Sequence, residues 1–168
     1  CDVATHFRNV LRAGIAALGM RYVASVPAAM TVWPPGCEPL PPKPYVGHGR
    51  RPTRLRRDST HKPVSLKLLA QSLPKRSWRT IRWREGSNDW LCSRFARVRV
   101  RPAHDDERRQ VPHPTEWLLI EWPVGQTEPV HYWLSTLPPG TTFKALVAHA
   151  MGRWMIERDY LDRLLRQF

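Results

Sequence analysis

Six of the twelve residues from Trp33 to Pro44 are proline, at positions 34, 35, 39, 41, 42 and 44, and no other feature narrows the fold so sharply. Proline fixes φ and has no backbone N–H to donate, so neither a helix interior nor a central strand can run through this stretch. It reads as a stiff, extended connector. Regular structure in the 168 residues is therefore divided into a short part before the prolines and a longer part after them.

In the short part, Phe7, Val10, Leu11, Ile15 and Leu18 recur at helical spacing, with Gly19 placed as a C-cap. Tyr22 to Val26 follows as a short apolar run, so the spacing predicts helix, then buried strand. Beyond the prolines the period changes to two. Ser77 to Glu85, Leu91 to Arg101, Glu116 to Trp122 and Val130 to Leu137 are rich in β-branched and aromatic residues and are parted by Gly, Pro, Asn and Asp. This pattern predicts a small antiparallel sheet.

The charge is confined to the same middle region. Residues 43–109 hold 19 Lys+Arg and 6 Asp+Glu, the rest holds 8 of each, and the whole net charge of +13 thus lies in the middle. An excess of that size points to a polyanionic partner, nucleic acid first. From Arg50, five arginines fall in eight positions, and Arg50, Arg51 and Arg54 are expected on a phosphate-binding loop. Between Phe95 and Arg101, Val98 and Val100 alternate with Arg97, Arg99 and Arg101, so one strand face packs inward and the other presents three guanidinium groups. Arg82 and Arg84 could continue that basic face on a neighbouring strand. A solvated outer face is the competing explanation for any single arginine. Three in register, inside the block that carries all the net charge, favour DNA.

Cys1, Cys37 and Cys92 are too few and too far apart for a disulfide framework or a Cys-x-x-Cys metal site, so a reducing cytoplasm is the expected location. No stretch is long enough to span a membrane. The chain begins with Cys1 rather than Met, so its true N-terminus is expected upstream. His104-Asp105-Asp106 reads as a polar loop.

Phe143 to Phe168 carries the strongest helical periodicity, and Glu157 falls between Trp154 and Leu161 on the face that should be buried. A buried carboxylate needs a partner. One candidate is Arg153, four residues earlier; the other is a divalent cation shared with a second carboxylate.

Gly152-Arg-Trp-Met-Ile-Glu-Arg-Asp-Tyr160, Tyr132-Trp-Leu-Ser-Thr-Leu-Pro138, Glu116-Trp-Leu-Leu-Ile-Glu-Trp-Pro123 and the Trp83-Arg-Glu-Gly86 turn together resemble the bacterial insertion-sequence DDE transposases. The resemblance spans nearly the whole chain. It implies an α/β fold: a partial ribonuclease H-like core with an inserted antiparallel β-rich subdomain. Residues 1–30 and 141–168 would belong to the core, and residues 31–140 to the basic insertion.

The resemblance also places the family's second Asp on Asp2, its Glu on Glu157 and the accompanying Arg on Arg153, with Mg2+ or Mn2+ held by Asp2 and Glu157. The family's small residues after that Asp are replaced here by Val3-Ala-Thr-His6, and its Tyr and Lys near the Glu by Ala150 and Leu164. Trp133 is a candidate to stack on a displaced base, although a core tryptophan is the commoner outcome on a strand. The implied activity is DNA transposition, cutting transposon ends and joining them to target DNA, with a homodimer as a possible assembly. Lacking the first Asp, the 168 residues are expected to be an inactive copy; a non-catalytic remnant that grips DNA through its basic insertion is the alternative.

Overall fold

The computed structural model describes residues 3–85 and 89–152. Helix α1 (Val3–Ala17) leads into strand β1 (Val23–Ser25), as the helical spacing and the apolar run predict. Strands β4 (Trp78–Glu85), β5 (Asp89–Pro102), β6 (Glu116–Glu121) and β7 (His131–Ser135) form where the period of two places them. Three short elements lie around the proline connector: strands β2 (Thr31–Trp33) and β3 (Val64–Ser65), and helix α2 (Leu66–Ser72). A further helix, α3, covers residues 143–152.

Among the described residues all strand pairings are antiparallel, in the order β1-β7-β6-β5-β2-β3, with β4 also paired to β5. The result is a mixed α/β arrangement around one curled sheet. β1 joins that sheet directly, with Val23 opposite Ser135 and Ser25 opposite Trp133, so the segment before the prolines and the strands after them share one ladder.

The sheet is covered on both faces, which is why β6 is buried at all six positions. On one face Val100, Leu118, Ile120, Tyr132 and Leu134 pack against Val26, Met30, Val32 and the Leu66, Leu69 and Ala70 face of α2. On the other, Phe95, Trp117, Leu119 and Trp133 pack against Leu146, Val147 and Ala150 of α3. α2 starts where Ser65 accepts a hydrogen bond from the Leu68 N–H, a side-chain cap that removes one of the orphan donors of a helix start.

α1 is oriented against its own periodicity. Val10, Leu11 and Leu18 of the predicted apolar stripe are exposed, while Arg12 is buried. The reason is electrostatic. Nη2 of Arg12 donates to both carboxylate oxygens of Glu116, at 3.1 and 3.2 Å, and its Nε donates to the Tyr22 hydroxyl at 3.1 Å. That hydroxyl donates in turn to Glu116 Oε2 at 2.8 Å. Burial, then the carboxylate beside it, raises the pKa of Tyr22, so the phenol keeps the proton it donates.

The proline-rich connector pairs with the segment around Leu55, which in turn meets the loop after β5, and no strand forms within the connector. An isolated bridge joins Leu40 to Arg56, and the Leu55 N–H donates to the Arg109 carbonyl. Trp33 is buried, stacks on His61 at 4.9 Å and donates Nε1–H to Asp106 Oδ2 at 2.6 Å. Asp106, in the segment the sequence reads as a polar loop, is buried, because the indole reaches it.

The His104 and His113 rings lie 4.2 Å apart beside it. Burial, then the neighbouring His113, pushes the His104 pKa down from 6.5 to about 4. A histidine depressed in this way is neutral when folded and takes up a proton more readily when unfolded. Its contribution is thus complete above the unfolded value of 6.5 and is lost as pH falls from there through about 4. Urea denaturation at pH 7.5 and pH 5 should show lower stability at pH 5, and His104→Asn should flatten that dependence; an unchanged slope would remove His104 as its source.

Candidate nucleic-acid interface

β5 places Arg97, Arg99 and Arg101 on one face, as the alternation predicts, but all three are half-buried. The Arg97 guanidinium lies 4.7 Å from the ring centre of Trp117 and 5.2 Å from that of Phe143, and Nη1 donates to the Thr141 carbonyl. Arg99 lies 5.0 Å from the same Trp117 ring and donates Nη2–H to the carbonyl and hydroxyl oxygens of Thr115. Arg101 donates to the His113 carbonyl and meets Glu38 Oε2 at 3.3 Å. Trp117 thus meets two guanidinium groups, and its indole N–H donates to the Pro138 carbonyl. Stacking and carbonyl contacts fix the arginines in place, so an anion binding them meets donors that are already ordered.

Burial lowers the pKa of both Arg97 and Arg99, with Arg79 adding repulsion at Arg97. That coupling shows which neighbour extends the row. Arg79 is opposite Phe95 and so shares the face of Arg97, whereas Arg82 is opposite Cys92 and takes the other face. The expected continuation through Arg82 and Arg84 is corrected to Arg79: counting along one strand cannot supply the cross-strand register that decides the face.

Arg50, Arg51 and Arg54 are exposed. They lie on the loop between Leu40 and the buried Leu55, closed by the isolated Leu40–Arg56 bridge. Gly47 and Gly49 take φ of +88° and +73°, a left-handed conformation that glycine adopts without strain, and this turns the loop back towards Leu55. The three side chains stand where phosphates can reach them.

Trp133 is 7 % exposed inside the cluster under α3. α3 and the sheet cover it, the core position that is the commoner outcome for a tryptophan on a strand. Asp2, Arg153 and Glu157 lie outside the described residues. Among the described residues no group of three His, Cys, Asp or Glu side chains comes together as metal ligands. No described helix is long and apolar enough to cross a membrane.

Sequence reading passed over Arg12, Tyr22 and Glu116 as a unit, and also Glu38, Arg79 and Trp117. Only Trp117 carried a usable signal, an aromatic residue on a strand beside an arginine-bearing one. The pairing of Arg12 with a carboxylate more than a hundred residues away had none.

Ordered arginines on one sheet face of a basic α/β protein suit a polyanionic partner. The model of a particular family, the DDE superfamily endonucleases, matches residues 4–89, just over half of the chain, and the chain belongs to that family. No curated protein and no solved structure matches it. The matched residues include α1, β1 and the exposed arginine loop.

Proposed function

We propose that this chain is part of the catalytic domain of a bacterial insertion-sequence DDE transposase, which cleaves transposon-end DNA and joins it to target DNA in the cytoplasm. The observation that carries this reading is the family match over α1, β1 and the arginine loop, joined to a sheet face of ordered arginines. In this reading residues 1–30 and 141–168 form a ribonuclease H-like core and residues 31–140 a basic insertion that holds DNA. Two copies of the chain, one at each transposon end, would make the assembly. The exposed thiols of Cys37 and Cys92 suit a reducing compartment.

Asp2 and Glu157 would hold Mg2+ or Mn2+. An all-oxygen pair of carboxylates suits hard divalent ions of this kind, and such an ion supplies activation of water and stabilisation of the leaving oxygen. The chain's own contribution begins with α1, which directly follows Asp2 and is tied to the sheet by Arg12. The arginines of β5 and of the exposed loop would hold phosphates on the DNA strands.

Calorimetric titration with Mn2+ tests the assignment independently of catalysis. Loss of a group that only orients a metal ligand already weakens metal affinity about 10–100-fold, so Asp2→Asn and Glu157→Gln should each weaken Mn2+ binding by more than about tenfold. Equal binding by the unaltered chain and both variants would sink the proposed site.

A further inference from the structure

The arginine row has an unresolved charge balance. Among the described residues only Glu38 brings a carboxylate within ion-pair distance of Arg97, Arg99 or Arg101, and it reaches Arg101 alone. Glu38 is 64 % exposed against 20 % for Arg101, so it leans in from solvent and does not share the arginine's burial. Glu116 lies on the opposite face of the sheet, already held by Arg12 and Tyr22. Meanwhile Nη1 of Arg99 and Nε of Arg101 are buried without an acceptor among the described residues. Desolvated cationic donors left unpaired are costly and are relieved by an anion.

A cleft of about 260 Å³ lies at this point, between Arg99 and Arg101 on β5, Thr115, and the turn from Pro34 to Glu38. Two guanidinium forks two positions apart on one strand, one stacked on Trp117 and the other anchored on the His113 carbonyl, offer an oxyanion several donors from fixed directions. Glu38 shows that a carboxylate already takes one of those directions.

We propose that this cleft is a binding site for a phosphate group, and that Glu38 is the chain's own placeholder, resting on Arg101 until a phosphate displaces it. An ion pair so exposed is weak, and a phosphate seated in the cleft can bond both guanidinium forks where Glu38 meets Arg101 alone, so the exchange is favourable. The proposal rests on the DNA reading only for the source of the phosphate, a nucleic-acid backbone or free phosphate.

The test uses the 168-residue chain, inorganic phosphate and a short DNA duplex. Glu38→Gln should bind phosphate about three- to fivefold more tightly, the size of an exposed ion pair. Arg101→Gln should bind it about tenfold or more weakly, since it removes a charged fork. In the double variant the gain from Glu38→Gln should vanish. If phosphate also competes with the duplex, the cleft serves backbone phosphates; if it binds without competing, the cleft serves free phosphate, and either result supports the site. Because Glu38 is exposed, Glu38→Gln preserves the fold and remains informative even if Arg101→Gln unfolds. Unchanged phosphate and duplex affinity in Glu38→Gln overturns the proposal, even where duplex binding through Arg50, Arg51 and Arg54 persists, so failure here is distinct from failure of the DNA reading.

Discussion

Glu116→Ala is expected to cost about 3–5 kcal/mol of folding stability, the loss typical when one partner of a buried ion pair is removed. The side chains of Arg12 and Glu116 are 6 % and 8 % exposed, and Glu116 accepts from both Arg12 and Tyr22. Alanine leaves a buried guanidinium with no counter-charge and a phenol with no acceptor. Arg12→Ala should cost a comparable amount from the other side, stranding the carboxylate. Replacing the pair together, as Arg12→Met with Glu116→Leu, should recover part of the loss, because an apolar pair carries no charge to desolvate while the buried Tyr22 hydroxyl still loses both partners. Urea denaturation of the three variants measures this, and single losses below about 1 kcal/mol, the range of an exposed pair, would show that the bridge is solvated in solution.

The same bridge has a functional consequence. Among the described side chains of α1, Val10 and Leu11 are exposed and Arg12 is the one buried against the sheet. Breaking that contact should free the helix before it unfolds the sheet, and amide exchange in α1 should accelerate in Arg12→Ala more than exchange in β6. Since Asp2 immediately precedes α1, a site that depends on Asp2 depends on this bridge as well.

The sequence revealed the elements whose stability is local or repeated. β4 to β7 were legible because alternating residues pack on both faces of a sheet, and α1 because apolar spacing is a helical signal even where Val10 and Leu11 end up exposed. The three elements around the prolines were not, although α2 carried a readable signature: Ser65 as a cap, then Leu66, Leu69 and Ala70 on one face. Two- and three-residue strands such as β3 and β2 have too few positions for a period to show; β2 exists because β5 offers an edge, and β3 because β2 does.

The site was legible in composition more than in geometry. The alternation of β5 correctly set Arg97, Arg99 and Arg101 on one face, yet it predicted open guanidinium groups. Their engagement with Trp117, Thr115 and His113 depends on β6 and the loop before it, which reach them only through the fold. Register likewise decided between Arg79 and Arg82, and burial by α3 decided the place of Trp133.

Neutralising Arg50, Arg51 and Arg54 together should weaken duplex-DNA binding on the order of a hundredfold near ~0.1 M salt. Each phosphate contact contributes about 0.9 to the slope of log affinity against log salt, so losing three should flatten the slope by about 2.7. The effect should be nearly independent of DNA sequence, because phosphate contacts position a protein without reading bases. All three side chains are exposed, and the loop is anchored instead by Leu55 and the Leu40–Arg56 bridge, so the melting temperature of Arg50→Gln/Arg51→Gln/Arg54→Gln should match that of the unaltered chain. Fluorescence anisotropy across a salt series separates the possible outcomes. A parallel line displaced downward would mean that the arginines act at a distance, through the field of the basic block. An unchanged line would remove the loop from the DNA surface and leave the ordered row on β5 to account for binding. A flattened line, with stability intact, places the phosphates on the loop that the two left-handed glycines turn back towards Leu55.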